Sequence, residues 1–417
     1  MKNERNPRRE LFPAVSRVKP KWFYAAFLVS LIPCQIPFSH AQGTAASSTK
    51  PSPQISPDHL AEEAQRSLAS GKYAVAERDY GQLLKLGIRS PSLYSNLGVV
   101  YMKTGRFDQA IQVFLNAKDL APNVAGVRLN LGLAYFRKHE FKQAASYFGD
   151  TLTLDPDNLQ ARYLKGECHF MLDEFSDAIA SFEPLEKMEE NDLEYLFMLG
   201  TSYGMLKRTD DSLRIFQRMV EAGGNTPHLH LLLGKAYLAL GQNTNATEEL
   251  SRAAAGEGIP FAHYYLGVLD RQLGRPELAS AEFEKELQID PTNASAVREL
   301  AEIRLDQADP RSAIAVLEKG IAKNRDTPEL FVLLGRAYLQ VSNQAGAISA
   351  LKEAIALSPE VGSYHYQLGR AYLKAGRSAD ARAEMERART LAAETPQGKM
   401  QAFTGDQGPG SATDGSH

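Results

Sequence analysis

The chain has 417 residues, of which 43% are hydrophobic and 23% charged. That composition belongs to an ordered globular protein and excludes a collagen, a polar disordered chain and a multispanning membrane protein. Two cysteines, Cys34 and Cys168, exclude a disulfide scaffold and a four-thiolate zinc site. A net charge of −3, from 47 basic and 50 acidic residues, leaves no basic footprint for nucleic acid.

The first predicted element is an export leader over residues 1–41. Lys2, Arg5, Arg8, Arg9, Arg17, Lys19 and Lys21 precede the apolar run Trp22–Ile32, and Ser39-His40-Ala41 supplies a small-residue end. Basic region, short apolar core and such an end describe a secretory signal peptide cleaved after Ala41. The core is shorter than the ~20 residues a bilayer span needs. Two other readings stand beside it: an uncleaved anchor over residues 22–38, and lipidation at Cys34. Leu31-Ile32-Pro33-Cys34 is loosely similar to a bacterial lipobox, from which Pro33 departs, and Arg8-Arg9-Glu10-Leu11-Phe12 resembles a twin-arginine export motif. The expected location is periplasmic or secreted, or membrane-anchored where the leader stays. Cleavage removes seven basic and two acidic residues, takes the charge from −3 to −8 and leaves Cys168 as the one thiol. Residues 42–56, rich in Ser, Thr, Pro and Ala, read as a flexible linker.

From residue 57 onward a period of 34 organises the chain. Gly98, Gly132, Gly166, Gly200, Gly234, Gly267, Ala301, Gly335 and Gly369 are spaced by 34, with one step of 33. Twelve residues after each lies a small residue, as at Ala110 and Ala144, and four further on a bulky one, as at Phe114 and Phe148. Within 91–124, Leu93-Tyr94, Leu97-Gly98 and Tyr101 share one helical face, Gly105-Arg106 ends that helix, and Ala110, Ile111, Phe114 and Ala117 share the face of a second. Pro122 forbids continuation. Each unit is thus two antiparallel helices, with small residues where they approach and large ones beside them.

The pattern Leu97-Gly98, Tyr101, Gly105, Phe107, Ala110, Phe114, Ala117, Pro122 resembles a tetratricopeptide repeat, as does its counterpart from Leu131-Gly132 to Pro156. Ten units fit: 57–90, 91–124, 125–158, 159–192, 193–226, 227–259, 260–293, 294–327, 328–361 and 362–395. The resemblance implies an all-α, right-handed superhelical solenoid spanning 57–395, and the polar, Gly-rich residues 396–417 read as a disordered tail. Unit 294–327 departs, with Ala301, Arg304 and Gly320 where the pattern wants Gly, Tyr and Ala. Unit 227–259 is one residue short, which suggests a hinge near 256–260.

Nothing in the chain assembles catalytic chemistry. There is no His-Glu-x-x-His, phosphate loop or nucleophile elbow. His228 and His230 point to different faces of a helix, His169 takes the packing position of a tyrosine, and Cys168 reads as a small core residue. Asn245 and Asn293 match glycosylation acceptors, and Asn245 is also read as a helix cap. No enzyme activity, metal or cofactor is expected.

In the resembled family the first helix of each unit lines a concave groove. Carrying those positions over gives Leu129, Tyr163, Phe197, Leu231 and Tyr264 as one inward column and Phe136, Phe170 and Leu238 as a second. Late in the array the first helices are read as more charged, with Arg298, Glu302, Arg336, Arg370 and Lys374. The expectation is an aromatic groove in the first half and a mixed, partly basic one in the second, binding an extended or helical peptide. The family's carboxylate clamp is absent, since its positions read Ser95, Val99, Asn130 and Leu133, and an asparagine ladder is reduced to Asn96 and Asn130. The expected function is an exported scaffold for a protein or peptide partner in a bacterial envelope or secretion complex. The alternative is a structural accessory subunit of a polysaccharide or pilus export machine, acting through its outer surface.

Overall fold

The computed structural model describes residues 56–189 and 191–394, and every regular element among them is helical. The leader, residues 42–55 of the linker and the tail lie outside the described residues. The chain divides into two compact units, one ending at Asn225 and the other beginning at Thr226.

The first unit holds five helix pairs: α1 Pro57–Ala69 and α2 Tyr73–Lys85, α3 Pro91–Lys103 and α4 Phe107–Leu120, α5 Ala125–Arg137 and α6 Phe141–Leu154, α7 Leu159–Met171 and α8 Phe175–Phe182, α9 Leu193–Met205 and α10 Thr209–Gly223. The second holds five more: α11 Pro227–Ala239 and α12 Asn243–Ala254, α13 Ala262–Gln272 and α14 Pro276–Ile289, α15 Ala294–Asp306 and α16 Pro310–Ile321, α17 Pro328–Gln340 and α18 Gln344–Leu357, α19 Gly362–Lys374 and α20 Ser378–Glu394. No helix among the described residues is long and apolar enough to cross a membrane.

The chain starts and stops these helices with local chemistry. Ser90, Asn158, Asp192, Thr226 and Asn293 each cap a first helix by accepting a backbone N–H two or three residues inside it. Pro91, Pro227 and Pro328 sit at the first helical position, where a missing N–H costs nothing. The turn between paired helices recurs with the repeat: Gly71, Gly105, Gly241, Gly274 and Gly376 are left-handed, and so are His139, Asp173, Lys207, Ala308 and Ser342. At Gly105 this conformation lets Arg106 N donate to the Tyr101 carbonyl at 2.9 Å, closing the helix end. One second helix is cut short. Pro184 stops α8 at Phe182, and a single 3₁₀ turn, Glu183–Leu185, follows.

Within each pair the 34-residue series meet as expected. A Cβ on Gly132 would lie 2.5 Å from Phe148 Cε1, one on Gly166 2.5 Å from Phe182 Cε1, and one on Gly267 2.7 Å from Phe283 Cε1. Gly98 is equally closed by Phe114, Gly200 by Phe216, Gly234 by Leu250, Gly335 by Leu351 and Gly369 by Met385. A helical glycine costs about 1 kcal/mol. Full burial of the phenylalanine it admits returns about 1.5–3 kcal/mol. The departing unit keeps the device and relocates it. With Ala301 on the first helix, the close approach passes to Gly320 on α16, which faces the Val297 methyls.

Segment 256–260 lies inside the second unit, and α13 behind it is firmly anchored. Phe261 is left-handed and offers α13 no side-chain cap. Glu286 of α14, fully buried, supplies one instead, accepting from Phe261 N at 2.8 Å, Tyr264 N at 3.2 Å and Asn293 Nδ2 at 3.0 Å. Burial pushes this carboxyl above its usual range although the three donors oppose the shift.

Neighbouring pairs are tied by charge as well as by packing. Arg106, just before α4, forks onto Glu77 of α2 at 2.7 and 2.5 Å, and Arg218 of α10 reaches Glu186 at 2.6 Å. In the second unit Arg271 of α13 binds both Glu299 and Glu302 of α15, and Glu299 also takes Arg298 at 3.0 Å.

Candidate protein-binding surface

The first helix of each pair carries the candidate residues. Several of these helices are buried on nearly every side: in α9, all nine residues from Tyr195 to Tyr203 are buried. The two predicted columns therefore fall in the interior. Leu129, Phe136, Tyr163, Phe170, Phe197, Leu231 and Tyr264 are all 7% exposed or less. Phe136 sits edge-on to Phe141, Tyr163 to Phe182, and Phe170 to both Phe175 and Phe197. Leu129 joins the cluster around Ala144, Phe148 and Ala161. These side chains hold repeats together, and an aspartate at Tyr163 or Phe197 would test folding and not recognition.

Charge follows the same burial. Glu167 on α7 is buried, and desolvation, with Asp192 and Glu194 adding repulsion, pushes its carboxyl up to about 8. Asp192, half-buried at the head of α9, is raised to about 6, chiefly by desolvation, although it accepts from Tyr195 N at 2.8 Å. Glu167 is protonated in the folded chain up to about pH 8 and ionises in the unfolded chain from its ordinary 4.5, so stability falls as pH rises between the two. Glu167→Gln is expected to remove that slope, raising Tm above pH 8 and leaving it little changed in acid; thermal melts across pH check it.

The arginine positions differ among themselves. Arg298 is half-buried and joined to the Glu299–Arg271–Glu302 network, so it does not stand as a loose cation. Arg336 on α17 is half-buried and Arg370 on α19 exposed, and neither has a carboxylate partner among the described residues. On α19, Tyr366 and Leu373 are each 50% exposed. Tyr366, Arg370, Leu373 and Lys374 follow the i, i+4, i+7, i+8 spacing of one helical face. α17 touches α19, and its half-buried Val332 and Leu339 pack against the cluster that holds Leu368, Ala371 and Tyr372. Tyr366 and Leu373 were missed as candidates, yet they stand in register with Tyr264 and Leu238. Extending the two columns by three and four repeats finds them.

Other candidates resolve into structure. Cys168 is fully buried, and burial pushes its thiol well above the ordinary range. His230 Nδ1 pairs with Glu249 Oε2 at 2.6 Å, and His169 Nδ1 with Glu174 Oε2 at 2.7 Å. Asn245 does not cap a helix, as the sequence suggests. It lies on the third residue of α12, and its amide donates to Gln242 Oε1 at 3.2 Å. Asn293 is the cap of α15 and is buried.

Paired helices, glycine-to-ring contacts and a periodic left-handed turn define a helical repeat protein. Tetratricopeptide repeat family models match residues 62–125, 129–183, 231–294 and 332–398, and a second such model matches 271–337. The chain belongs to the tetratricopeptide repeat family, whose members are generally scaffolds that bind protein partners. Among solved structures it is similar to a tetratricopeptide repeat protein from Parabacteroides merdae ATCC 43184, at 16% identity over 60% of this chain and 98% of that one, with a TM-score of 0.50. MamA from Desulfovibrio magneticus RS-1 is 24% identical over 42% of this chain and 98% of its own, TM-score 0.38. Yeast Tom70 is 16% identical over 84% of this chain and 94% of its own, TM-score 0.36. No curated protein matches the sequence.

Proposed function

We propose that the protein is an exported scaffold that holds a protein partner on the first-helix face of its last two repeats, within an envelope or secretion complex. The observation that carries the binding face is on α19. There, two large apolar side chains, Tyr366 and Leu373, stand half in solvent beside Arg370 and Lys374, whose charges have no counter-ion among the described residues. Aromatic and arginine side chains are the usual energetic anchors of interfaces. Recognition is reversible and involves no bond chemistry.

Export rests on the basic and apolar pattern of residues 1–41. Crosslinking in intact cells followed by capture of the full chain names the partner. Tyr366→Ser with Arg370→Glu is expected to reduce recovery at least tenfold with an unchanged melting curve, and undiminished recovery overturns the binding face. Deleting residues 1–41 is expected to leave the protein in the cytoplasmic fraction.

One observation favours the second reading, a structural accessory subunit working through its outer surface. Leu86, Leu120 and Leu154 close three consecutive second helices at the same repeat position and are 61%, 50% and 37% exposed. Leu120→Glu with Leu154→Glu separates the two: partner loss in this variant, and not in the α19 variant, assigns the contact to the outer row.

A further inference from the structure

We propose that His169, Glu174 and Asp177, at the turn between α7 and α8, form a binding site for a divalent first-row transition ion, with zinc as the probe. One ligand atom from each residue lies within 4.8 Å of the other two. His169 Nδ1 is already 2.7 Å from Glu174 Oε2. Ligands bound to one zinc at ~2.1 Å stand about 3.4 Å apart in a tetrahedron, so a small convergence completes the set. Glu174 and Asp177 are exposed and free to make it, whereas the His169 side chain is only 15% exposed and fixes the site's base. One imidazole and two carboxylates are the nitrogen and oxygen donors such ions take.

The independent support comes from sister repeats of the same chain. Position for position, His169, Glu174 and Asp177 correspond to Tyr203, Arg208 and Asp211, and again to Tyr372, Arg377 and Asp380. In both sisters a cation occupies this turn. Arg208 lies 4.4 Å over the Tyr203 ring with its Nε 2.8 Å from Asp211 Oδ2. Arg377 lies 4.5 Å over Tyr372 with its Nε 2.7 Å from Asp380 Oδ2. In the α7–α8 repeat the guanidinium is replaced by a carboxylate and the phenol by an imidazole. Asp177 is thereby left with no cation within ion-pair distance among the described residues. The turn thus keeps a place for positive charge, loses the arginine that fills it elsewhere, and gains two ligand groups in exchange. The His230–Glu249, His263–Glu282 and His365–Glu384 pairs do not share this: each joins one imidazole to one carboxylate across the two helices of a pair, and none forms a three-ligand group.

Calorimetric titration of the tag-free full chain with zinc tests the site. One ion per chain is expected to bind saturably, with affinity falling about tenfold or more in Asp177→Asn and in Glu174→Gln. His169→Tyr with Glu174→Arg rebuilds the sister pattern and is expected to abolish that binding while circular dichroism and Tm are retained. Absence of saturable binding, or unchanged affinity in this folded double variant, overturns the proposal.

Discussion

Replacing Gly132 with valine is expected to destabilise the first unit by about 3 kcal/mol, the upper part of the usual cost of overpacking. The reason is local and rigid. The new Cβ would stand 2.5, 2.7 and 3.1 Å from three atoms of the Phe148 ring, which is fully buried and has nowhere to turn. The gain in helix propensity, about 0.4 kcal/mol for valine over glycine, does not offset the clash. Phe148→Ala alone is expected to cost about 3–5 kcal/mol through the cavity it leaves. The double variant should cost less than the sum, with a coupling of about 1–3 kcal/mol in a double-mutant cycle. Urea unfolding gives the totals. In a repeat array stability adds from neighbour to neighbour, so hydrogen exchange should place the loss in α5–α7 and leave the second unit unchanged. A Gly132→Val protein as stable as its parent would show that the ring yields.

Glu286→Leu is expected to have an effect of similar size, on the order of 4 kcal/mol, because each buried donor it orphans costs about 1–3 kcal/mol. Phe261 N, Tyr264 N and Asn293 Nδ2 all give their hydrogen to this carboxylate, and all three residues are buried. Glu286→Gln keeps one acceptor oxygen and should lose about half as much. Hydrogen exchange should report the loss at the start of α13 and at the cap of α15. Equal stability of parent and leucine variant would mean that the α13 terminus is held by packing alone.

These two sites differ in how far the sequence announces them. Gly132 and Phe148 are each one step of a 34-residue series, and the pairing of small with large follows from helical spacing. Glu286 is marked only as a misfit. It stands at the small core position of its repeat, one period before Gly320, and its capping role comes from a left-handed Phe261 25 positions upstream. The shortened repeat was visible and suggested a bend. The buried carboxylate that pins it was not, because a hydrogen bond between distant residues leaves no periodicity.

The binding surface shows the same division. Register identified which residues lie on first helices, and Arg336 and Arg370 came out on that face. Register is silent on depth. Leu129, Tyr163 and Phe197 share the pattern of Tyr366, yet the first three are buried and Tyr366 is half exposed. What separates them is what packs against each helix, and identical spacing gives every repeat the same prediction.

The sequence by itself determined the helix-pair fold, the period, the glycine-to-ring contacts and the tetratricopeptide family, because each repeat makes its contacts within 34 residues and writes them ten times. Only the tertiary structure decided which faces stay open, which charges are neutralised, and where three ligand groups meet at one turn. Those depend on neighbours that differ from repeat to repeat, and burial and electrostatics act on that whole environment, not on the local pattern.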